Sequence, residues 1–146
     1  RKDVKFNKDI LHKYKLVNYF NGDFAQSKIE KDLNNFLKKI KKNKKYFLSK
    51  KDIILIESMK SDGIKISKKY KDLYETNNAE MPTDIQVMIN NNDIGSALLR
   101  IIEVIGQDDL ELLDEDTLYF IISALNQLDI DYIRNKILLK VLPLKV

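Results

Sequence analysis

Apolar residues recur at three- and four-residue spacing along most of this chain, and short polar turns interrupt them four times. The turns fall near Gly22-Asp23, Asp62-Gly63, Asn92-Asp93 and Leu128-Asp129. Three-four spacing is the signature of amphipathic helices, so each turn is predicted to join two helices that share an apolar seam. In the first pair, over residues 7–42, Ile10, Leu11, Tyr14, Leu16 and Val17 lie on overlapping faces ahead of Tyr19-Phe20. Asp23 followed by Gln26 reads as a capping box for a second helix carrying Phe24, Ile29, Leu33, Phe36, Leu37 and Ile40. The second pair opens on Ser49 with its matching Asp52. Ile53, Ile54, Ile56 and Met59 form its first stripe, and Ile66, Tyr70, Leu73 and Tyr74 predict another helix beyond Gly63. Thr76-Asn77-Asn78 ends that pair.

The third pair starts at Thr83, read as a cap with Gln86 three residues on. Ile85, Met88 and Ile89 lead to the polar turn Asn90–Asp93. Ile94, Ala97, Leu98, Ile101, Ile102 and Ile105 then make a stripe that Gly106 stops. In the fourth pair Asp114 or Asp116 caps a helix bearing Leu118, Ile121, Ile122, Leu125 and Leu128. Asp129 is predicted to begin the last helix, with Ile133, Ile137, Leu138 and Val141, and Pro143 ends it. Tyr119, Phe120, Leu139 and Leu142 widen these stripes, so both helices are expected to be covered on several sides or to meet a partner.

First helices near residues 7, 49, 83 and 115 are separated by 42, 34 and 32 positions, a mean of 36. With the turns aligned, Asn21-Gly22-Asp23-Phe24-Ala25 and Asn92-Asp93-Ile94-Gly95-Ser96-Ala97-Leu98-Leu99 resemble the turn and second helix of tetratricopeptide-like repeats. The resemblance implies an all-α fold: a short right-handed α-solenoid of about four antiparallel helix pairs. On this reading one helical-repeat domain spans 7–146 after a flexible segment 1–6. It further implies a concave surface that binds a protein or peptide rather than chemistry. Tyr14, Asn18, Glu57, Gln86, Asn90, Tyr119 and Asn126 are the groove candidates. Arg100 and Arg134 join them as lone charges in apolar surroundings; Arg134 suits a carboxylate held by a two-pronged bond, whereas Arg100 and Glu103 share a groove or pair on the outer side.

Composition narrows the chemistry. Four glycines and two prolines favour helices over sandwiches, and the absence of cysteine removes disulfides, iron–sulfur clusters and thiolate zinc sites. His12 is the sole histidine and reads as a solvated helix residue. Asp108-Asp109-Glu111 and Asp114-Glu115-Asp116 fit caps and first-turn dipole stabilisation and lack the ligand spacing of a calcium loop. No phosphate-binding glycine loop, dinucleotide fingerprint or zinc-hydrolase motif occurs. No enzyme, cofactor or metal is therefore expected. Apolar runs are broken by charge well short of a membrane span. The opening Arg1-Lys2-Asp3 reads as the start of a processed protein or an excised domain.

The net charge of +4 conceals a division. Residues 1–78 carry 21 Lys/Arg against 10 Asp/Glu, while residues 79–146 carry 5 against 12. Two further partner classes follow. The run Lys38, Lys39, Lys41, Lys42, Lys44 and Lys45, followed by Tyr46-Phe47, suits phosphates and stacked bases, although it also suits a solvated helix end. Leu139, Leu142, Leu144 and Val146 offer an apolar edge for a second copy or for another domain of a parent chain.

Overall fold

The computed structural model describes residues 19, 20, 22, 25–43, 45–75, 81–107 and 109–141, and these form seven α-helices and no sheet. The chain divides into two compact units, one comprising Arg1–Thr76 with Leu142–Val146 and the other Asn77–Val141. The boundary falls in the polar Thr76-Asn77-Asn78 stretch, close to the change in charge.

In the first unit, α1 (Gln26–Lys42) buries Ile29, Leu33, Phe36, Leu37 and Ile40 along one face. It begins behind Ala25 with no side-chain cap, and the anticipated cap Asp23 lies outside the described residues. Helix α2 (Lys50–Ser61) starts as expected. Ser49 Oγ accepts from the Asp52 amide at 3.0 Å while Asp52 Oδ2 accepts from the Ser49 amide at 3.1 Å, so two otherwise orphan donors are satisfied within the buried start. Because Ile53 through Ile56, Ser58 and Met59 are all buried, α2 is covered nearly all round.

Beyond α2 the expected second helix is replaced by a non-helical stretch at 64–67, then a short 3-10 turn (Lys68–Tyr70) and the single turn α3 (Lys71–Tyr74). The cause lies on α1. Glu30 accepts the Lys65 amide at 2.8 Å; Asn34 accepts the Ser67 amide at 2.8 Å and donates to the Lys65 carbonyl at 3.1 Å. The Lys65 carbonyl is one that a helix beyond Gly63 would pair internally, whereas the Lys65 and Ser67 amides gain partners that a first helical turn would leave them without. Tyr70 and Tyr74 are buried as their stripe predicted, and Lys60 closes the end of α3 by an ion pair with Glu75 at 2.8 Å.

In the second unit, α4 (Thr83–Asn90) packs on α5 (Ile94–Ile105) and on α6 (Glu115–Gln127); α6 packs on α7 (Asp131–Val141), which also meets a 3-10 turn at Leu110–Leu112. Ile85, Ala97, Ile101, Leu118, Ile121, Ile122, Ala124, Leu125, Ile137, Leu138 and Val141 make its apolar interior. Asp114 caps α6 by accepting the Thr117 amide at 2.7 Å. Thr83 is not a cap: α4 opens behind Pro82, whose fixed φ suits a helix entry, and Gln86 is engaged elsewhere.

The turns repeat in atomic detail. At the end of α4 the Asn92 amide bonds the Ile89 carbonyl at 2.9 Å and the Asp93 amide bonds Met88 at 2.8 Å. At the end of α6 the Asp129 amide bonds Asn126 at 3.1 Å and the Ile130 amide bonds Leu125 at 3.0 Å. The pivots Asn92 (φ 57°) and Asp129 (φ 59°) are left-handed, which Asn and Asp tolerate better than other side chains. Asp129 is thus the left-handed stop of α6 rather than the first residue of α7. The end of α2 is built the same way, with Gly63 at φ 100° bonding Lys60 at 3.0 Å and Ile64 bonding Met59 at 3.1 Å.

Candidate partner-binding face

Superposing the two turns of the second unit on Asn92 and Asp129, 37 positions apart, brings Gln86 onto Ser123 and Asn90 onto Gln127. Both α4 and α6 therefore end in a polar pair at i, i+4. The structure links the two pairs. Gln86 Nε2 donates to Asn90 Oδ1 at 2.9 Å and to Gln127 Oε1 at 3.2 Å, and Gln127 Nε2 donates to Ser123 Oγ at 3.4 Å. These four side chains form a polar band from α4 to α6 at the surface, and Val87 of α4 is 50% exposed.

Neither α4 nor α6 contains a lysine or arginine, whereas Asp84, Glu115 and Asp116 stand in their first turns. Arg100 of α5 offsets one of these charges: its Nε meets Asp84 Oδ2 at 2.7 Å, and its Nη1 lies 3.9 Å from Glu103. The Asp84 carboxyl is held below its ordinary pKa by the Arg100 hydrogen bond, and that of Asp114 by the bond it accepts from the Thr117 amide. Arg100 thus ties α5 to α4 through Asp84 and also lies near Glu103, its neighbour one turn on.

The groove candidates separate accordingly. Gln86 and Asn90 come together and are joined by Gln127 and Ser123, which the helix-start alignment did not single out. Tyr119 is half-buried one turn before Ser123 on α6. Glu57 is half-buried on α2, in the other unit. Tyr14 and Asn18 lie outside the described residues, as does His12.

Arg134 is placed differently from the expectation. Its side chain is 0% exposed, and Nη1 donates to Asn126 Oδ1 at 3.0 Å while Nε and Nη2 donate to Asn135 Oδ1 at 3.0 and 2.7 Å. Asp131 adds an ion pair at 3.7 Å. The guanidinium is therefore spent between α6 and α7, and the half-buried Asn126 accepts one of its hydrogen bonds. In the turn-based alignment Arg134 occupies the place of the fully buried Ala97. The long side chain fills with polar atoms a position that the other pair closes with a methyl group.

Among the lysines of the basic run, Lys38, Lys39 and Lys42 line a surface hollow of about 380 Å³ with Asp32 and Asn35. Lys41 instead donates to the Lys69 carbonyl at 2.6 Å, Lys45 is exposed, and Lys44 lies outside the described residues. Among the described residues there is no cluster of three or more His, Cys, Asp or Glu able to hold a metal ion, and no helix is long and apolar enough to cross a membrane. No family model, curated protein or solved structure matches the chain.

Proposed function

We propose that this protein is a non-catalytic binding scaffold whose α4–α6 face holds an extended peptide segment of a partner protein. The observation that carries this reading is the polar band Gln86–Asn90–Gln127–Ser123, repeated at equivalent places on two neighbouring first helices. A side-chain amide offers a donor and an acceptor with the geometry of a peptide group, so a row of them pairs with an extended backbone whatever its side chains. Stacked antiparallel hairpins of tetratricopeptide type present their first helices in this way, and the α4–α6 contact is consistent with such stacking. With acids and no cations on α4 and α6, the face favours a segment bearing lysine or arginine.

The test is selection of a random peptide library on the intact chain, with Gln86→Ala/Gln127→Ala as comparator. Each amide contributes about 1 kcal/mol through its hydrogen bonds, so the double variant is expected to bind the selected peptides roughly ten- to thirtyfold more weakly. Enrichment of the same sequences on both proteins would refute the reading.

A second reading, self-association, is favoured by α5, on which Leu99 and Ile102 are 66% and 61% exposed one turn apart. Sedimentation of the chain is then expected to show a mass that rises with concentration and stays monomeric in Leu99→Glu. A monomer at all concentrations removes this reading and leaves the first intact.

A further inference from the structure

Helix α1 has two opposed faces. Its apolar side is consumed by the interior of the first unit. At 100° per residue Lys31, Asn35, Lys38, Lys39 and Lys42 fall in one stripe on the other side, running about 16 Å along the axis. The acids of α1 have local roles: Glu30 accepts the Lys65 amide, and Asp32 pairs with Lys28 at 3.3 Å. Toward the C-terminal end the positions three and four residues from Lys38 and from Lys42 hold no carboxylate at all. They hold Asn34, Asn35, Lys41 and Lys42 in one case, and Lys38, Lys39, Lys45 and Tyr46 in the other. Like charges at these spacings repel within a helix. The helix dipole rewards cations in the last turn but does not account for Lys31 and Lys38 continuing the stripe backwards. The hollow of about 380 Å³ among Asp32, Asn35, Lys38, Lys39 and Lys42 sets three ammonium groups against one carboxylate, which is shared with Lys28, and lies within the size range of small-ligand sites.

We propose that this face binds a single-stranded nucleic acid, with Lys38, Lys39 and Lys42 contacting successive phosphates and Asn35 bonding the strand between them. Three features select this partner among polyanions. The stripe is linear, as a sugar–phosphate backbone is. Its cations are all lysines, point charges suited to singly charged phosphodiesters, and the planar fork of arginine that grips carboxylates in pairs is absent from residues 2–99. Phe47, 37% exposed shortly beyond the helix end, offers a ring for a base. A membrane surface fits less well, because an interfacial helix needs apolar side chains facing the lipid and those of α1 are buried in the protein.

The experiment is fluorescence anisotropy of a labelled oligouridylate of about twelve nucleotides, a length within the site sizes of single-strand binders, titrated with the full chain. Three phosphate contacts on a single strand give a salt slope of roughly −2, or about a twentyfold loss of affinity between 50 and 200 mM salt. Lys38→Gln/Lys39→Gln/Lys42→Gln is expected to lose at least about tenfold at low salt, whereas Lys71→Gln/Lys136→Gln/Lys140→Gln, which removes equal charge from other helices, changes affinity little. Lys38→Arg/Lys39→Arg/Lys42→Arg keeps the charge and is expected to retain binding, which separates loss of contacts from loss of folding. Absence of binding at 50 mM salt, equal losses in the two glutamine variants, or competition by polyglutamate as effective as by unlabelled oligouridylate would each overturn the proposal.

Discussion

Ile121→Asp is expected to unfold the α4–α7 unit at room temperature. Ile121 is 0% exposed at the middle of α6, with Leu118, Ile122, Ala124 and Leu125 buried around it. Removing the isoleucine forfeits about 1.5–3 kcal/mol of apolar burial. Placing a carboxylate among aliphatic groups with no cation on α6 adds several kcal/mol more unless the group takes up a proton. The sum rivals the whole stability of a small domain, about 5–15 kcal/mol. Hydrogen exchange is the direct measurement, because amides of α4 to α7 should lose their protection together. Ile121→Val, which removes one methyl group, should cost only about 0.5–1.5 kcal/mol. Native protection in the aspartate variant would mean that α6 does not lie at the centre of this unit. Leu98 would be a weaker probe of the same seam, since it is only half-buried.

Arg134→Ala should be the next most damaging substitution, at about 2–4 kcal/mol in a denaturant melt. The change empties a fully buried site of its side chain, and Asn126 and Asn135 lose the donors they accept. Replacement by methionine separates the two contributions. It restores most of the volume but none of the hydrogen bonds, and the half-buried asparagines can turn to water. Arg134→Met is therefore expected to recover most of the loss, in line with apolar substitutes for buried charges elsewhere. Equal damage by both variants would show that the hydrogen bonds, not the filled volume, hold the α6–α7 pair together. Asn126→Ala tests the same network from the other side, which makes it unsuitable as a mutation directed only at a binding face.

Much of the architecture was legible along the chain because its signals are local. Ser49 and Asp52 are close enough to bond each other with no help from the rest of the molecule, as are Asp114 and Thr117. Gly63, Asn92 and Asp129 mark turns because a left-handed residue is needed there and few side chains tolerate it. The apolar stripe of α1, Ile29 to Ile40, is buried as its spacing predicted. The candidate face was half legible. Gln86 and Asn90 could be named, but Ser123 and Gln127 emerge only when the pairs are aligned on their turns. Aligning the starts of α4 and α6 separates them by 32 positions and hides the likeness of their closing turns, because α6 has 13 residues and α4 has 8. Turns set the register more faithfully, since their geometry is pinned by two backbone hydrogen bonds while a helix can gain a turn at its free end.

Chain pattern alone therefore set the turns at Gly63, Asn92 and Asp129, the caps Ser49 and Asp114, and the apolar side of α1, since those outcomes depend on neighbours within one or two turns. It did not set the burial of Ile94, Ile102 and Ile133, which are 40%, 61% and 40% exposed. Folding in three dimensions decided the rest. Glu30 and Asn34 keep residues 64–67 non-helical against their helical spacing, and Asn126 and Asn135 draw Arg134 inside. The Lys65 and Ser67 amides are satisfied from α1, and Arg134 reaches Asn126 across the turn besides its neighbour Asn135. No periodicity encodes such a meeting, because the free energy of the bond exists only once both partners have been brought to the same place.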